Sequence, residues 1–180
     1  LSEPESWEDI VEIGQKLKTD DMWGFALPCR PGTEASYFWN TLLISAGGDI
    51  MIGDRVVVNT PEGIEALQFM VDLRNKYKIV PEGVITYSVD TMGDLFASGK
   101  IASFSTLHYA YQRVMDYKEM YENFAMALFP SKNKNIEQKT FMDISLYCVS
   151  PFSKKKAAAF LFLDFLRSYE ERLAEILLEK

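Results

Sequence analysis

The chain reads as an α/β protein, and three observations predict it. Strong helix starts recur along the sequence at Ser6 and at Thr60-Pro61-Glu62, and short apolar runs stop at prolines, Trp23 to Leu27 before Pro28 and Phe124 to Phe129 before Pro130. Between them, Leu95-Phe96-Ala97-Ser98-Gly99-Lys100-Ile101-Ala102 has a short apolar helical face, a glycine stop and a β-branched restart. Segments of strand type thus alternate with segments of helix type.

The elements follow in order. Ser6 is a suitable N-cap, and Glu8 and Asp9 put negative charge in the first turn, where the helix dipole favours it. Trp7, Ile10, Val11, Gly14 and Leu17 share one face at helical spacing. Asp20-Asp21 ends that helix, Trp23 to Leu27 is a buried strand, and Cys29 to Ala35 is a loop. A second helix runs from Ser36 to Ala46 and stops at Gly47-Gly48; Asp49 to Val58 carries the alternation and Gly-Asp turn of a hairpin. From Thr60 a third helix extends to about Tyr77, with Ile64, Leu67, Met70, Val71 and Arg74 on one face, and Pro81-Glu82-Gly83 closes the unit. A short helix spans Asp90 to Ser98 and a strand Lys100 to Ser105. Tyr109 to Tyr121 is helical, Phe124 to Phe129 a strand, Ser131 to Lys139 a polar loop and Phe141 to Val149 a further strand. Ser153 opens a long helix whose faces carry Ala157, Phe160, Leu161, Asp164, Phe165 and Tyr169; Lys154, Lys155 and Lys156 in its first turn oppose the dipole.

Bulk properties narrow the function. With 48% hydrophobic residues in 180, a substantial core can form. Acidic residues outnumber basic ones by 26 to 19, a net charge of −7, which disfavours nucleic acid or an anionic membrane surface as the main partner. The longest strongly apolar run, Ala157 to Leu163, is too short to span a bilayer. Leu1 to Ser6 is polar and acidic rather than leader-like, though a secreted protein loses its leader. Cys29 and Cys148 lack metal-type spacing and are read as two buried thiols, with a disulfide between them left open. No cofactor motif occurs: neither a phosphate-binding loop nor a dinucleotide glycine pattern is present.

Four stretches, in order, resemble the family 1 extracellular solute-binding proteins of ABC importers, the group that includes the maltose-binding proteins. They are Pro4-Glu5-Ser6-Trp7-Glu8-Asp9-Ile10; Asn59 to Leu67 with Asp72-Leu73; Phe96 to Ala102; and Val149-Ser150 through Ser153 to Leu161, with Phe165-Leu166 and Ser168-Tyr169-Glu170. The resemblance implies a periplasmic-binding-protein-like lobe of type II, helices around a small mixed sheet, incomplete relative to the two-lobed family. In that family two α/β lobes close around a ligand by a hinge motion. It implies that residues 1–130 are the second lobe, 131–139 a crossover loop, and 140–180 a strand and helix that pack on a first lobe or on another copy of the chain. The chain would then be a truncated or proteolysed piece of a longer protein. The implied function is capture of a saccharide or similar small polar solute and delivery to ABC permease subunits, in the periplasm or outside the cell, with a lipoprotein anchor in the full-length parent.

The same resemblance directs attention to Tyr37-Phe38-Trp39-Asn40, where the family supplies an aromatic pair before the Gly-Gly helix stop, and to Arg30 and Glu34 just upstream. Aromatic faces stack on sugar rings, and fixed polar groups bind the hydroxyls. Phe38 is read equally as a core residue. After the Gly99-Lys100 strand, Leu107 stands where the family carries glycine and Tyr109 where it carries a stacking tryptophan, with His108 beside it. His108 is either a ligand contact or a structural donor, and Asp143 either a ligand contact or a solvated carboxylate. Catalysis fits poorly: a nucleophilic triad could use only His108, and no nucleophile-elbow glycines surround a serine. Two other readings stay open, a carbohydrate-active enzyme using a carboxylate pair and an interaction module docking through the helix from Ser153.

Overall fold

A computed structural model describes residues 2–106, 114, 115, 117, 124–142 and 146–178, with side chains of the last helix described up to Tyr169. The chain divides into two compact units, Leu1–Phe141 and Met142–Lys180.

In the first unit, helix α1 (Trp7–Leu17) starts where its cap predicts. The Asp9 N–H donates to Ser6 Oγ at 3.2 Å, and the Glu5 N–H donates to the Asp9 carboxylate at 2.9 Å. That backbone bond from Glu5 holds the Asp9 carboxyl below its usual range. Trp7, Ile10, Val11 and Gly14 are buried. Trp7 stacks on Phe69 with ring centres 4.5 Å apart, and its indole N–H donates to Ser45 Oγ at 3.0 Å.

Helix α2 (Thr33–Ser45) begins three residues before the expected Ser36 and ends at Gly47, whose φ of 90° lies in the left-handed region. Strands β1 (Met51–Ile52) and β2 (Arg55–Val56) form the expected hairpin around Gly53, pairing Met51 with Val56. Both strands are exposed. Helix α3 (Pro61–Asn75) is capped by Thr60 as anticipated.

Its buried face differs from the expected one. Gly63, Ala66, Phe69 and Leu73 point inward, whereas Ile64, Leu67 and Val71 are exposed. The cause is Gly63: a Cβ there would sit 2.2 Å from the Val58 carbonyl oxygen and 3.5 Å from the Trp39 ring. Only a glycine admits that approach, and it fixes the rotation of α3.

Segment 23–27 lies at the centre of the unit. It meets 101–104 through parallel bridges, Trp23 with Ile101 and Ala26 with Phe104, while the Phe25 N–H donates to the Ile79 carbonyl on the other side at 3.1 Å. The two expected strands are therefore isolated bridges rather than continuous ladders. A 3-10 turn (Glu82–Thr86) leads into helix α4 (Val89–Ala97), capped by Ser88 and ended by Gly99 at φ 70°. Residues 131–139 form the expected polar loop, and the Lys132 N–H donates to the Ser45 carbonyl at 2.8 Å at the end of α2.

Among the described residues, 124–130, 141, 142 and 146–149 show no strand and no ladder partner, and Met126 and Leu128 are exposed; the middle of the strand expected over Phe141 to Val149, residues 143–145, lies outside the described residues. The helix expected over Tyr109 to Tyr121 lies largely outside the described residues, only 114 and 115 being described as helical.

In the second unit, helix α5 (Lys156–Leu178) starts three residues later than expected. Ser150 and Ser153 hold short turns through the N–H groups of Phe152 and Lys155, so two of the three lysines precede the helix. Phe160, Leu161, Phe162, Phe165 and Tyr169 are all exposed. Both cysteines are free thiols: Cys29 is half-buried, and Cys148 is exposed, correcting the expectation that both are buried.

Candidate functional site

The parallel bridges run from Trp23 and Ile101 toward Pro28 and Thr106, and a shallow depression of about 20 Å³ opens at that far end. In α/β folds this carboxyl edge is where ligands bind. Its wall is built from four pieces: Pro28, the stretch of α2 from Glu34 to Thr41, the start of α4 at Val89, and Ser105-Thr106. The Arg30 N–H donates to the Tyr87 carbonyl at 3.1 Å, and the Ser105 N–H to the Ala26 carbonyl at 3.1 Å, so the loops on either side are tied to the scaffold.

Glu34 is the polar centre of this wall. It lies in the first turn of α2, and its Oε1 accepts from the N–H of Val89, the first residue of α4, at a long 3.5 Å. One carboxylate thus stands at two helix N-termini, where both dipoles favour negative charge. Oε2 faces Arg30 Nη2 at 3.3 Å in an ion pair, yet it accepts no hydrogen bond although it is shut away from solvent. The Glu34 side chain is 19% exposed and Arg30 57%. A buried carboxylate oxygen without a hydrogen-bonded donor retains strong acceptor capacity.

Tyr37 follows one turn later on the same wall, its ring tilted against Phe141 at 5.5 Å between centres; its carbonyl accepts from Thr41 Oγ1 at 3.0 Å. Phe38 borders the depression but is 3% exposed and meets Phe129 edge-on at 5.7 Å, inside the main core. Trp39 turns away: its indole N–H donates to the Gly63 carbonyl at 3.2 Å and its ring packs on the same core. Asn40 is half-buried on α2 and does not line the depression. The structure therefore gathers Glu34, Tyr37 and the edge of Phe38, with Arg30 joined only through its ion pair to Glu34, and separates Trp39 and Asn40 from them. His108, Tyr109 and Asp143 lie outside the described residues.

Pro28, Thr41, Val89, Ser105 and Thr106 complete the wall without having been singled out in the sequence. Thr41 stands four residues after Tyr37 on α2, and Ser105-Thr106 directly follow the bridged segment. Those positions were the available signals. Among the described residues no group of side chains is arranged to hold a metal ion, and no helix is long and apolar enough to cross a membrane.

A family model for the bacterial extracellular solute-binding proteins matches residues 1–172. The chain belongs to that family. Its structural relatives include the maltose-bound MalE3 of T. maritima, 33% identical with a TM-score of 0.53 over 56% of this chain and 26% of that one. The maltotriose-binding protein of Thermus thermophilus is 28% identical, TM-score 0.56, over 72% of this chain and 34% of that one. A solute-binding protein of Thermotoga lettingae bound to α-D-tagatose, 20% identical, reaches a TM-score of 0.68 over 77% and 35% and speaks for the fold alone. A Sinorhizobium fredii protein named a probable amino-acid ABC transporter periplasmic-binding protein is 24% identical over 54% of this chain and 22% of its own length. This solute-binding protein thus carries part of a type II periplasmic-binding fold, spanning about a third or less of the length of these relatives.

Proposed function

We propose that this solute-binding protein supplies one wall of a saccharide site, the second lobe of a two-lobed receptor that hands its ligand to an ABC permease. The observation that carries the proposal is the Glu34 carboxylate, held at two helix starts with one buried oxygen lacking a hydrogen bond. Sugar hydroxyls are suitable donors to it once the exposed Arg30 side chain swings aside from Oε2, the Tyr37 ring offers a stacking face, and Ser105 and Thr106 add hydroxyls. A depression of about 20 Å³ holds little more than a water molecule, so a sugar needs an opposing wall. Hinge closure of a first lobe would provide it. In this reading residues 1–130 form the lobe, 131–139 the crossover, and 140–180 pack on the first lobe or on a second copy. Phe38 borders the wall, and Trp39 and Asn40 stand behind it on α2; the roles expected of His108, Tyr109 and Asp143 concern residues outside the described ones.

Maltose and maltotriose occupy the relatives that are 33% and 28% identical. The Sinorhizobium relative's name raises an amino acid instead. A saccharide is preferred because it is what the two relatives of higher identity hold, and because the hydroxyls of Ser105 and Thr106 line the depression. The protein works outside the cytoplasmic membrane, anchored there as a lipoprotein, and captures its ligand without transforming it.

Calorimetric titration with glucose, maltose and maltotriose tests the proposal. Binding by this lobe alone is weak, since half of the contacts are lacking while the ordering cost remains. Glu34→Gln should lower affinity for the best saccharide by about tenfold, the worth of a charge-assisted hydrogen bond, and Tyr37→Ala should lower it further. Undiminished binding in both variants would refute the assignment.

A further inference from the structure

A second cavity, of about 220 Å³, opens at the opposite end of the bridged segments, lined by Asp21, Trp23, Pro81, Tyr87, Leu95, Lys100 and Ile101. It shares no lining residue with the Glu34 depression. We propose that it is a separate site for a small apolar amino acid, whose carboxylate pairs with Lys100 and whose ammonium pairs with Asp21.

The wall is fixed by backbone bonds. The Trp23 N–H donates to the Lys100 carbonyl at 2.9 Å, and the Ala102 N–H to the Trp23 carbonyl at 2.8 Å, so indole and ammonium are carried on paired backbone. The Lys100 N–H returns to the Leu95 carbonyl at 2.8 Å across Gly99, locking the end of α4. Asp21 sits in a turn closed from both ends: the Thr19 N–H donates to the Met22 carbonyl at 2.8 Å, and the Met22 N–H to Thr19 Oγ1 at 3.1 Å. Pro81 and Ile101 are buried, and Trp23, Tyr87 and Leu95 are half-buried. A site with such walls needs little reorganisation to bind.

The charges give the ligand class. Asp21 and Lys100 border one cavity whose wall also carries Trp23, Leu95 and Ile101, and among the described residues neither makes an ion pair or a side-chain hydrogen bond, although they carry opposite charge. Lys18 is already committed, its ammonium 4.3 Å from the centre of the Trp23 ring and 2.7 Å from the Lys78 carbonyl. A sugar would draw on neither charge. A zwitterion with an aliphatic or aromatic side chain satisfies each charge and places its apolar part against Trp23, Leu95 and Ile101.

The test is an amide-resolved NMR titration of the 180-residue chain with L-leucine as the probe. Saturable shifts should cluster at residues 21–23, 95 and 100–101, with a dissociation constant of about 1 mM. Lys100→Gln should weaken leucine about fivefold and leave leucinamide, which has no carboxylate, unchanged; Asp21→Asn should weaken leucine similarly and leave N-acetyl-leucine unchanged. Both side chains are exposed, and unaltered melting of the variants checks that each folds. The proposal is overturned by an absence of shifts at these amides up to about 20 mM, by leucinamide and N-acetyl-leucine matching leucine, or by shifts confined to Glu34 and Tyr37. Loss of saccharide binding in Glu34→Gln leaves this site untouched, so the two proposals fail separately.

Discussion

Replacing Gly24 with alanine probes the closest backbone contact in the first unit. A Cβ built there lies 1.8 Å from the Gly14 carbonyl oxygen and 2.5 Å from its carbon, where ordinary contact needs 3.4 Å or more. Both partners are main chain, so no rotamer change relieves the overlap. Helix α1 would have to retreat by about 1.5 Å, but it is pinned by Trp7 stacked on Phe69 and bonded to Ser45. Overpacking in a close-packed core costs about 1–3 kcal/mol where side chains yield; with rigid backbone on both sides the upper end applies. For a unit of this size about 3 kcal/mol corresponds to a melting temperature lower by roughly 6–12 °C. Gly14→Ala is the control, because its Cβ meets only the Ile79 side chain, with Cβ and Cγ2 at 3.3 and 3.5 Å and the Cδ1 end at 2.8 Å. That end can move, and alanine regains about 1 kcal/mol of helix propensity, so the net change is small and Ile79→Val should absorb the remaining crowding. Thermal melts followed by circular dichroism measure all three. A Gly24→Ala protein melting within about 2 °C of the parent, or a Gly14→Ala protein melting lower than Gly24→Ala, would refute the reasoning.

Two further outcomes follow from buried polar groups. Ser45→Ala removes the acceptor of the buried Trp7 indole N–H and should cost about 1–3 kcal/mol in urea unfolding; Ser45→Thr, which keeps a hydroxyl acceptor, should lose less of that bond. Burial pushes the Cys29 thiol from 9.0 up to about 11, while Cys148 is exposed. At pH 8 iodoacetamide should therefore modify Cys148 first, as read by peptide mass spectrometry. Because the folded pKa of Cys29 is raised, the stability tied to its neutral form is whole below pH 9 and is lost as pH rises through about 11. Cys29→Ala should flatten that part of the stability curve.

Caps and stops were legible because they act within a few residues: Ser6, Thr60-Pro61, Gly47 and Gly99 bound their helices as expected. The rotation of α3 was not, since Ile64, Leu67 and Val71 make as good an apolar stripe as Ala66, Phe69 and Leu73. A contact with Val58, made by a residue without a side chain, decides between them. A strand over 124–129 was expected from its apolar run before Pro130 and one over 141–149 from its alternation, but such patterns specify a face and never a partner, and among the described residues neither stretch finds a ladder. At the depression, Glu34 and Tyr37, with Arg30 paired to Glu34, were visible as polar and aromatic groups ahead of a helix stop. That Trp39 points elsewhere depends on the Gly63 carbonyl across the interface with α3, which no local pattern encodes.

The placing of residues 23–27 constrains how the first unit is made. Their neighbours on both sides, Ile79 and the stretch from Ile101, come far later in the chain. While it is being synthesised, α1 can coil and the hairpin can close, but the middle of the unit must wait with its amides unpaired. Cutting the chain between α3 and Ile101 should therefore leave an amino-terminal piece that cannot fold by itself, however good its own helices are.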